Sequence, residues 1–155
     1  MTRIAVELEC PDWRRAVPDV RDIARRAARV ASTGSNGGTV TVLLTDDDVV
    51  RDLNARFRGT DAPTNVLAFP SPAGTGHLGD IALAFGVCAR EAAEQGKSLA
   101  NHLSHLVIHG VLHLMGHDHE TDDEASAMES LERSLLARLG VADPYAAREL
   151  EDAHG

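Results

Sequence analysis

Three histidines around position 113 have the spacing of a metal site with one open coordination position. His109 and His113 are four residues apart, so on a helix their imidazoles leave the same face, separated by about 6 Å of rise. Gly116 allows the chain to leave that helix through a left-handed residue, and the bend can return His119 toward the first pair. Neutral imidazole suits zinc, and three protein ligands plus a water are usual in catalytic zinc sites. The pattern predicts one Zn²⁺ bound by these three histidines; the competing interpretation is a histidine-rich helix end with capping roles.

The spacing His-x-x-x-His-x-x-Gly-x-x-His also occurs in zinc peptidases of the metzincin type. In those enzymes a glutamate directly after the first histidine is the general base. The corresponding residue here is Gly110, which has no side chain to take a proton from metal-bound water. The pattern therefore indicates a metal scaffold without the peptidase base, and it argues against peptide hydrolysis.

Length and composition predict one domain, residues 1–155, whose core consists of aliphatic side chains because aromatic residues make up only 3% of the chain. No apolar run reaches the length that spans a membrane, and the first ten residues lack the apolar stretch of a signal peptide. We therefore expect a cytoplasmic protein without a membrane partner. In that compartment Cys10 and Cys88 are expected to be reduced and to serve in packing.

Charge is distributed unevenly along the chain. The net charge is −9. The segment from Asp118 to the last residue contains 11 acidic residues and 3 arginines, whereas the residues before it contain 13 acidic and 12 basic ones. Arginine binds phosphate through a planar fork, so the arginines between positions 14 and 58 are candidate RNA contacts, although each alone is more typical of a solvated helix face. These arginines are Arg14, Arg15, Arg21, Arg25, Arg26, Arg29, Arg51, Arg56 and Arg58.

Hydrophobic periodicity predicts an α+β domain with a four-stranded sheet flanked by about six helices. The predicted strands cover residues 4–8, 39–44, 65–69 and 80–85. The predicted helices cover residues 18–32, 46–57, 86–96, 98–115 and 121–139, with a short one from 143 onward and frayed final residues. The helix that carries the first two histidines is apolar over much of its surface, which places it in the middle of the core.

Four segments together resemble the YbeY family of bacterial endoribonucleases, also called rRNA maturation factors. They are Leu-Asn-Ala-Arg-Phe-Arg at 53–58, Pro-Thr-Asn-Val-Leu-Ala-Phe-Pro at 63–70, Leu-Gly-Asp-Ile at 78–81, and the histidine segment at 109–119. The family usually has Asp at the position of Asn65, Ser at that of Ala68 and Tyr at that of His117. None of these departures involves a proposed metal ligand.

The resemblance implies a zinc held by His109, His113 and His119, with the family arginine, Arg58, near the metal cleft. It further implies single-strand-specific RNA cleavage in 16S rRNA 3′-end maturation and ribosome quality control. The implied partners are rRNA, the small ribosomal subunit with its proteins, and an assembly GTPase.

The chemistry expected of such a site is phosphodiester hydrolysis by a zinc ion that lowers the pKa of a water toward 7 or polarises a phosphoryl oxygen. The predicted catalytic residues are Arg58, His113 and Asp118, and the predicted substrate-binding residues are Arg58 and Arg56. The general base stays open: Asp118 or Asp80 could fill that role or orient an imidazole, and Asp118 could equally satisfy turn amides.

The sequence leaves two alternatives to an RNA hydrolase. One is a metallopeptidase-like amide hydrolase, which the absence of a base at position 110 disfavours. The other is a non-catalytic, zinc-containing ribosome assembly factor, which the open three-ligand pattern disfavours because structural zinc normally has four protein ligands.

Overall fold

Ten helices and strands are defined in the computed structural model, which describes residues 2–35, 37–72 and 74–145. In chain order they are β1 (Arg3–Leu8), α1 (Asp12–Ala16), α2 (Val20–Ala31), β2 (Thr39–Thr45), α3 (Asp47–Arg58), β3 (Val66–Pro70), β4 (Gly79–Ala84), α4 (Phe85–Glu94), α5 (Leu99–Leu114) and α6 (Asp122–Arg138). This is the predicted α+β architecture, with six helices around one four-stranded sheet.

The sheet is mixed and has the strand order β1-β2-β4-β3. β1, β2 and β4 are parallel, while β3 runs antiparallel to β4 in a register from Val66↔Leu83 to Pro70↔Gly79. The central strand β2 is rich in β-branched and aliphatic residues, which suits a strand of a sheet that helices cover on both faces. β3 is the outer strand on the side where the histidines lie.

Alternating residues of the strands pack against different helices. On β4, Ile81 and Leu83 belong to the main core with α2 and α5, whereas Ala82 and Ala84 pack with Val50 of α3. α5 lies centrally on the first face and buries residues almost all around its axis, as its apolar composition predicts. Such a helix is a rigid base for side chains that emerge from it.

Side-chain caps fix the first turns of three helices. Asp46 accepts a hydrogen bond from the Val49 amide (2.9 Å), and Ser98 accepts one from the Asn101 amide (3.1 Å). Thr121 does the same for the Glu124 amide at 3.1 Å. Each such cap contributes about 1 kcal/mol to helix stability. The helices after Ser98 and Thr121 begin where the sequence predicts.

One helix was not predicted. α1 has five residues between Pro11 and Val17, which are too few for a helical hydrophobic pattern. Its buried residue is Trp13. The indole Nε1 of Trp13 donates to the Thr45 carbonyl (2.9 Å), and its ring meets Phe85 edge-on at 5.3 Å. The sequence did not predict this helix or its buried tryptophan because the segment is too short to show a periodic pattern.

The end of the chain differs from the prediction where it is described. Pro144 and Tyr145 form a turn rather than the start of a helix, and the rest of the predicted final helix and frayed end lies outside the described residues. Cys10 and Cys88 are free and buried, which confirms their packing roles. Among the helices described, none is long and apolar enough to cross a lipid bilayer.

Candidate metal centre and cleft

α5 and the bend that follows it bring His109, His113 and His119 together. The helix ends with two backbone hydrogen bonds, from Gly116 to the His113 carbonyl (3.1 Å) and from His117 to the Leu112 carbonyl (3.0 Å). Gly116 has φ +95°, the left-handed conformation that this type of helix end requires. The chain reverses there, so the predicted return of His119 toward the helical pair is confirmed.

The three imidazoles converge on one point. Each ring offers one nitrogen, and these nitrogens all lie within 4.8 Å of one another. The ring centroids are 4.7 Å apart for His109 and His113, 5.0 Å for His113 and His119, and 5.5 Å for His109 and His119. Among the histidine, cysteine and acidic residues of the described part of the chain, these three histidines form the group whose geometry could bind a metal ion.

The spacing of the two helical histidines fits zinc. The Nε2 atoms of His109 and His113 are 3.1 Å apart. Two nitrogen ligands at about 2.1 Å from one tetrahedral zinc lie about 3.4 Å apart, so only a small adjustment separates the two arrangements. The donor set, three imidazoles without a cysteine, is the set typical of catalytic zinc.

The environment also favours the neutral imidazole that a metal needs. Burial lowers the pKa of His113 below its usual range, and the nearby His109 and His119 lower it further. Asp118 and the backbone of His117 oppose this shift. A neutral His113 at neutral pH can ligate without first losing a proton.

A buried carboxylate behind the cluster orients one of the three histidines. Glu132 of α6 is 1% exposed, and its Oε1 lies 3.3 Å from Nδ1 of His109 and 2.8 Å from Nε2 of His105. The Tyr145 hydroxyl donates to the same carboxylate at 3.1 Å. Burial alone would raise the pKa of Glu132, but the hydrogen bonds from His105 and His109 outweigh it and hold the pKa at about 2. An ionised Glu132 accepts a hydrogen bond from Nδ1–H of His109, which keeps the proton on Nδ1 and leaves the lone pair of Nε2 directed toward the cluster.

Sequence reasoning missed Glu132. The signal available was a glutamate on the apolar stripe of α6, between Met128 and the buried pair Leu135 and Leu136. A charged side chain at such a position needs a partner, because an unpaired buried charge is costly.

An open cleft of about 720 Å³ adjoins the cluster. It lies between the end of α5, the following bend and the edge strand β3. Its lining residues are Arg58, Asn65, Val66, Leu67, Ala68, Pro70, His109, Gly110, His113, Gly116, His117, Asp118, His119 and Glu120. Two of the sequence-predicted catalytic residues, Arg58 and Asp118, therefore share the cleft with the three histidines.

Arg58 reaches the cleft from the opposite face of the sheet. It is the last residue of α3, and its Nη2 donates to the Ala68 carbonyl on β3. Its guanidinium carbon lies 5.7 Å from the ring centroid of Phe69. These contacts fix the guanidinium across the edge of the sheet beside the histidines.

The remaining candidates have other contacts. Oδ1 of Asp118 accepts a hydrogen bond from the His119 amide at 2.8 Å, which ties down the bend that carries the third histidine. Arg56 forms an ion pair with Asp52 one turn earlier in α3 (3.1 Å) and is not among the cleft residues. Asp80 pairs with His77 at 2.9 Å, also outside the cleft.

Packing against the sheet also disfavours a side chain at position 110. A Cβ atom at this position would lie 3.0 Å from Cγ2 of Ile81 and 3.3 Å from Cγ2 of Val66. A side chain at position 110, including a glutamate of the peptidase type, would therefore require the side chains of Ile81 and Val66 to shift. The structure supports the inference that this scaffold lacks the peptidase base.

Asn65, one of the departures from the family pattern, lies in a hydrogen-bonded chain behind the cleft. Its Nδ2 donates to Oε1 of Glu91 at 3.1 Å, and Nε2 of His102 lies 2.9 Å from the same oxygen. An amide can donate to a carboxylate where a second carboxylate would be repelled, so Asn65 suits the neighbouring Glu91.

Fold and site together define a class: an α+β domain with a three-histidine metal-binding scaffold on a central helix and the bend after it. The family model described as endoribonuclease YbeY matches residues 5–140. Proteins named endoribonuclease YbeY are similar over most of the chain. The one from Paramagnetospirillum magneticum is 48% identical, covering 92% of this chain and 94% of its own. The one from Chelativorans is 51% identical, covering 87% and 88%.

The chain belongs to the YbeY endoribonuclease family. A solved relative in fold is the solution structure of TM1509 from Thermotoga maritima, with a TM-score of 0.59 and 24% identity over 100% of this chain and 96% of that one. The predicted family resemblance is thus confirmed, and the fold is one that an experimental structure also shows.

Proposed function

We propose that this chain is a zinc-dependent endoribonuclease that hydrolyses single-stranded RNA, and that residues 1–155 form one metal-dependent hydrolase domain. The observation that carries the proposal is that three convergent imidazoles and one arginine line the same open cleft. The names of the relatives support RNA as the substrate. The donor set supports zinc as the metal.

His109, His113 and His119 would hold the zinc ion, which supplies Lewis acidity toward water and phosphoryl oxygens. Arg58, fixed by Ala68, offers its remaining guanidinium nitrogens to a phosphate oxygen and stabilises the negative charge that builds there. Asp118 lines the cleft beside the third histidine and is the proposed proton acceptor. Arg56 is a secondary phosphate contact, available when its exposed ion pair with Asp52 opens.

In the cell, the proposed substrate is the 3′ end of 16S rRNA, in maturation and in ribosome quality control. The proposed partners are the small ribosomal subunit with its proteins and an assembly GTPase. These assignments rest on the family resemblance, and the exposed arginines of α2 and α3 are compatible with an rRNA surface.

The test compares single-stranded RNA, duplex RNA and casein as substrates of zinc-loaded protein. We expect cleavage of the single strand only. His113→Ala should abolish it, and Arg58→Ala should lower kcat by about a hundredfold or more, with partial recovery in Arg58→Lys. Cleavage of casein would revive the peptidase alternative. Bound zinc with no RNA cleavage, and ribosome function retained in both alanine variants, would favour the non-catalytic assembly factor.

A further inference from the structure

Beside the cleft, one aromatic side chain is exposed in a protein that has few of them. Phe57 is 67% exposed, and it is the large hydrophobic side chain that the described residues leave open to solvent. The chain has 3 phenylalanines, 1 tyrosine and 1 tryptophan. A single exposed apolar residue needs no explanation by itself. The residues around Phe57, however, indicate a binding surface.

Phe57 packs against a neighbouring ring on one side. Its ring meets Phe69 of β3 with centroids 5.5 Å apart and planes at 65°. Phe69 in turn lies beneath the guanidinium of Arg58 at 5.7 Å. The aromatic pair and the arginine thus form one ordered surface at the edge strand β3, which we name the edge platform (Phe57, Arg58 and Phe69).

The edge platform is continuous with the cleft. Arg58 belongs to both, because it lines the cleft while it lies over Phe69. A strand of RNA that leaves the histidines past Arg58 would therefore reach the edge platform. Unpaired bases stack on exposed aromatic rings, whereas bases inside a duplex are already stacked on each other.

Resting on the proposed function, we propose that the edge platform is a nucleobase-stacking subsite for single-stranded RNA. Arg58 holds a phosphate at the cleft, and the exposed face of Phe57 stacks the adjacent unpaired base. The subsite gives a physical cause for a preference for single strands, because a paired base cannot reach the ring. Stacking is tolerant of base identity, so the subsite selects strandedness and not sequence.

The test measures binding separately from cleavage. Zinc-loaded protein is titrated with a short single-stranded oligonucleotide with phosphorothioate linkages, and with the same oligonucleotide carrying one abasic position. Phe57→Ala should weaken binding of the full oligonucleotide by about tenfold, with only a small fall in melting temperature, because the side chain is mostly exposed and loses one ring contact, with Phe69. Phe57→Leu, which keeps an apolar side chain without a ring, should lose nearly as much.

Phe57→Trp supplies a direct readout. It should bind as wild type does, and its fluorescence should be quenched by the single-stranded oligonucleotide more than by a duplex or by inorganic phosphate. Trp13 adds a constant background because it is fully buried against Phe85.

The possible outcomes distinguish a failure of the stacking subsite from a failure of the proposed function. Wild-type cleavage of single-stranded RNA with equal binding by Phe57→Ala or Phe57→Leu would overturn the stacking subsite and leave the proposed function standing. No binding or cleavage by the wild type would overturn both. A dimer in sedimentation that Phe57→Ala dissociates, with RNA binding unchanged, would assign the platform to a second copy of the chain instead.

Discussion

Glu132 on α6 and His109 on α5 are joined by a hydrogen bond of 3.3 Å between Oε1 and Nδ1. The bond connects α6 to the helix that carries two of the three convergent histidines. Because Nδ1 of His109 is engaged, Nε2 is the nitrogen that faces the other two imidazoles. α6 therefore takes part in the site although none of its side chains would touch the metal.

Glu132→Gln is expected to weaken zinc binding by about ten- to a hundredfold. The amide keeps the shape of the side chain but removes the charge that holds the proton on Nδ1 of His109. Competition with a chromophoric chelator measures the affinity, and nitrogen-detected NMR of the imidazole reports the tautomer. The matched control is Glu124→Gln, an exposed acid in the first turn of the same helix. An unchanged affinity and tautomer in Glu132→Gln would show that the hydrogen bond has no role in ligation.

Zinc should stabilise the folded protein through the three histidines. At a free zinc concentration about a hundred times the dissociation constant, binding contributes about 2.7 kcal/mol. For a chain of this size, that raises the melting temperature by about 5–10 °C. Calorimetry with and without a chelator measures the difference. His113→Ala should remove it.

His117→Ala is the control for that experiment. His117 lies on the same bend, is exposed, and lines the cleft, but it does not belong to the convergent group. The zinc-dependent rise should persist in this variant. Its loss there, or its survival in His113→Ala, would contradict the assigned ligand set.

Gly79→Ala is expected to destabilise the protein by about 3 kcal/mol. Gly79 has φ +152°, and a Cβ atom would lie 2.4 Å from the Phe69 carbonyl oxygen and 2.6 Å from Cδ2 of Leu114. Backbone strain and overpacking each cost about 1–3 kcal/mol. Urea unfolding measures the change in free energy.

Gly76→Ala separates the two causes. Gly76 also has positive φ, +75°, but a Cβ atom there meets nothing within 4 Å. Only the conformational cost, about 1–2 kcal/mol, should appear. Equal losses in the two variants would mean that the close contact of β3 with β4 and α5 contributes nothing.

His102 should make the metal-free protein less stable below neutral pH. Burial lowers the pKa of His102 in the folded state, and its hydrogen bond to Glu91 only partly opposes this. The unfolded state then binds more protons between the lowered pKa and the usual value near 6.5, so stability falls as the pH decreases through that window. Urea unfolding of apo protein at pH 7.5 and 5.5 measures the effect.

His102→Gln keeps a donor toward Glu91 but cannot titrate. It should lose less stability between the two pH values than the wild type, while the other histidines contribute equally to both. A pH dependence identical in the two proteins would assign the effect to other groups.

Most of the secondary structure could be read from the chain because its signals are local. The helix after Ser98 has an apolar pattern and a cap, and the bend at Gly116 has its glycine, so the approach of three histidines followed from spacing alone. α1 escaped prediction because five residues carry no periodicity. Its anchor, Trp13, is explained only by contacts with Thr45 and Phe85, far along the chain.

The sequence by itself determined which three histidines converge, because i and i+4 on a helix and a glycine bend are short-range geometry. It also indicated Arg58, through a family pattern and not through position. Only the tertiary structure decided that Arg58 crosses the edge of β3 into the cleft while Arg56 pairs with Asp52. It alone brought Glu132 against His109 across 23 residues. Local spacing fixes which groups share a face, but contact between elements depends on how the helices pack on the sheet, and that packing is a property of the whole core.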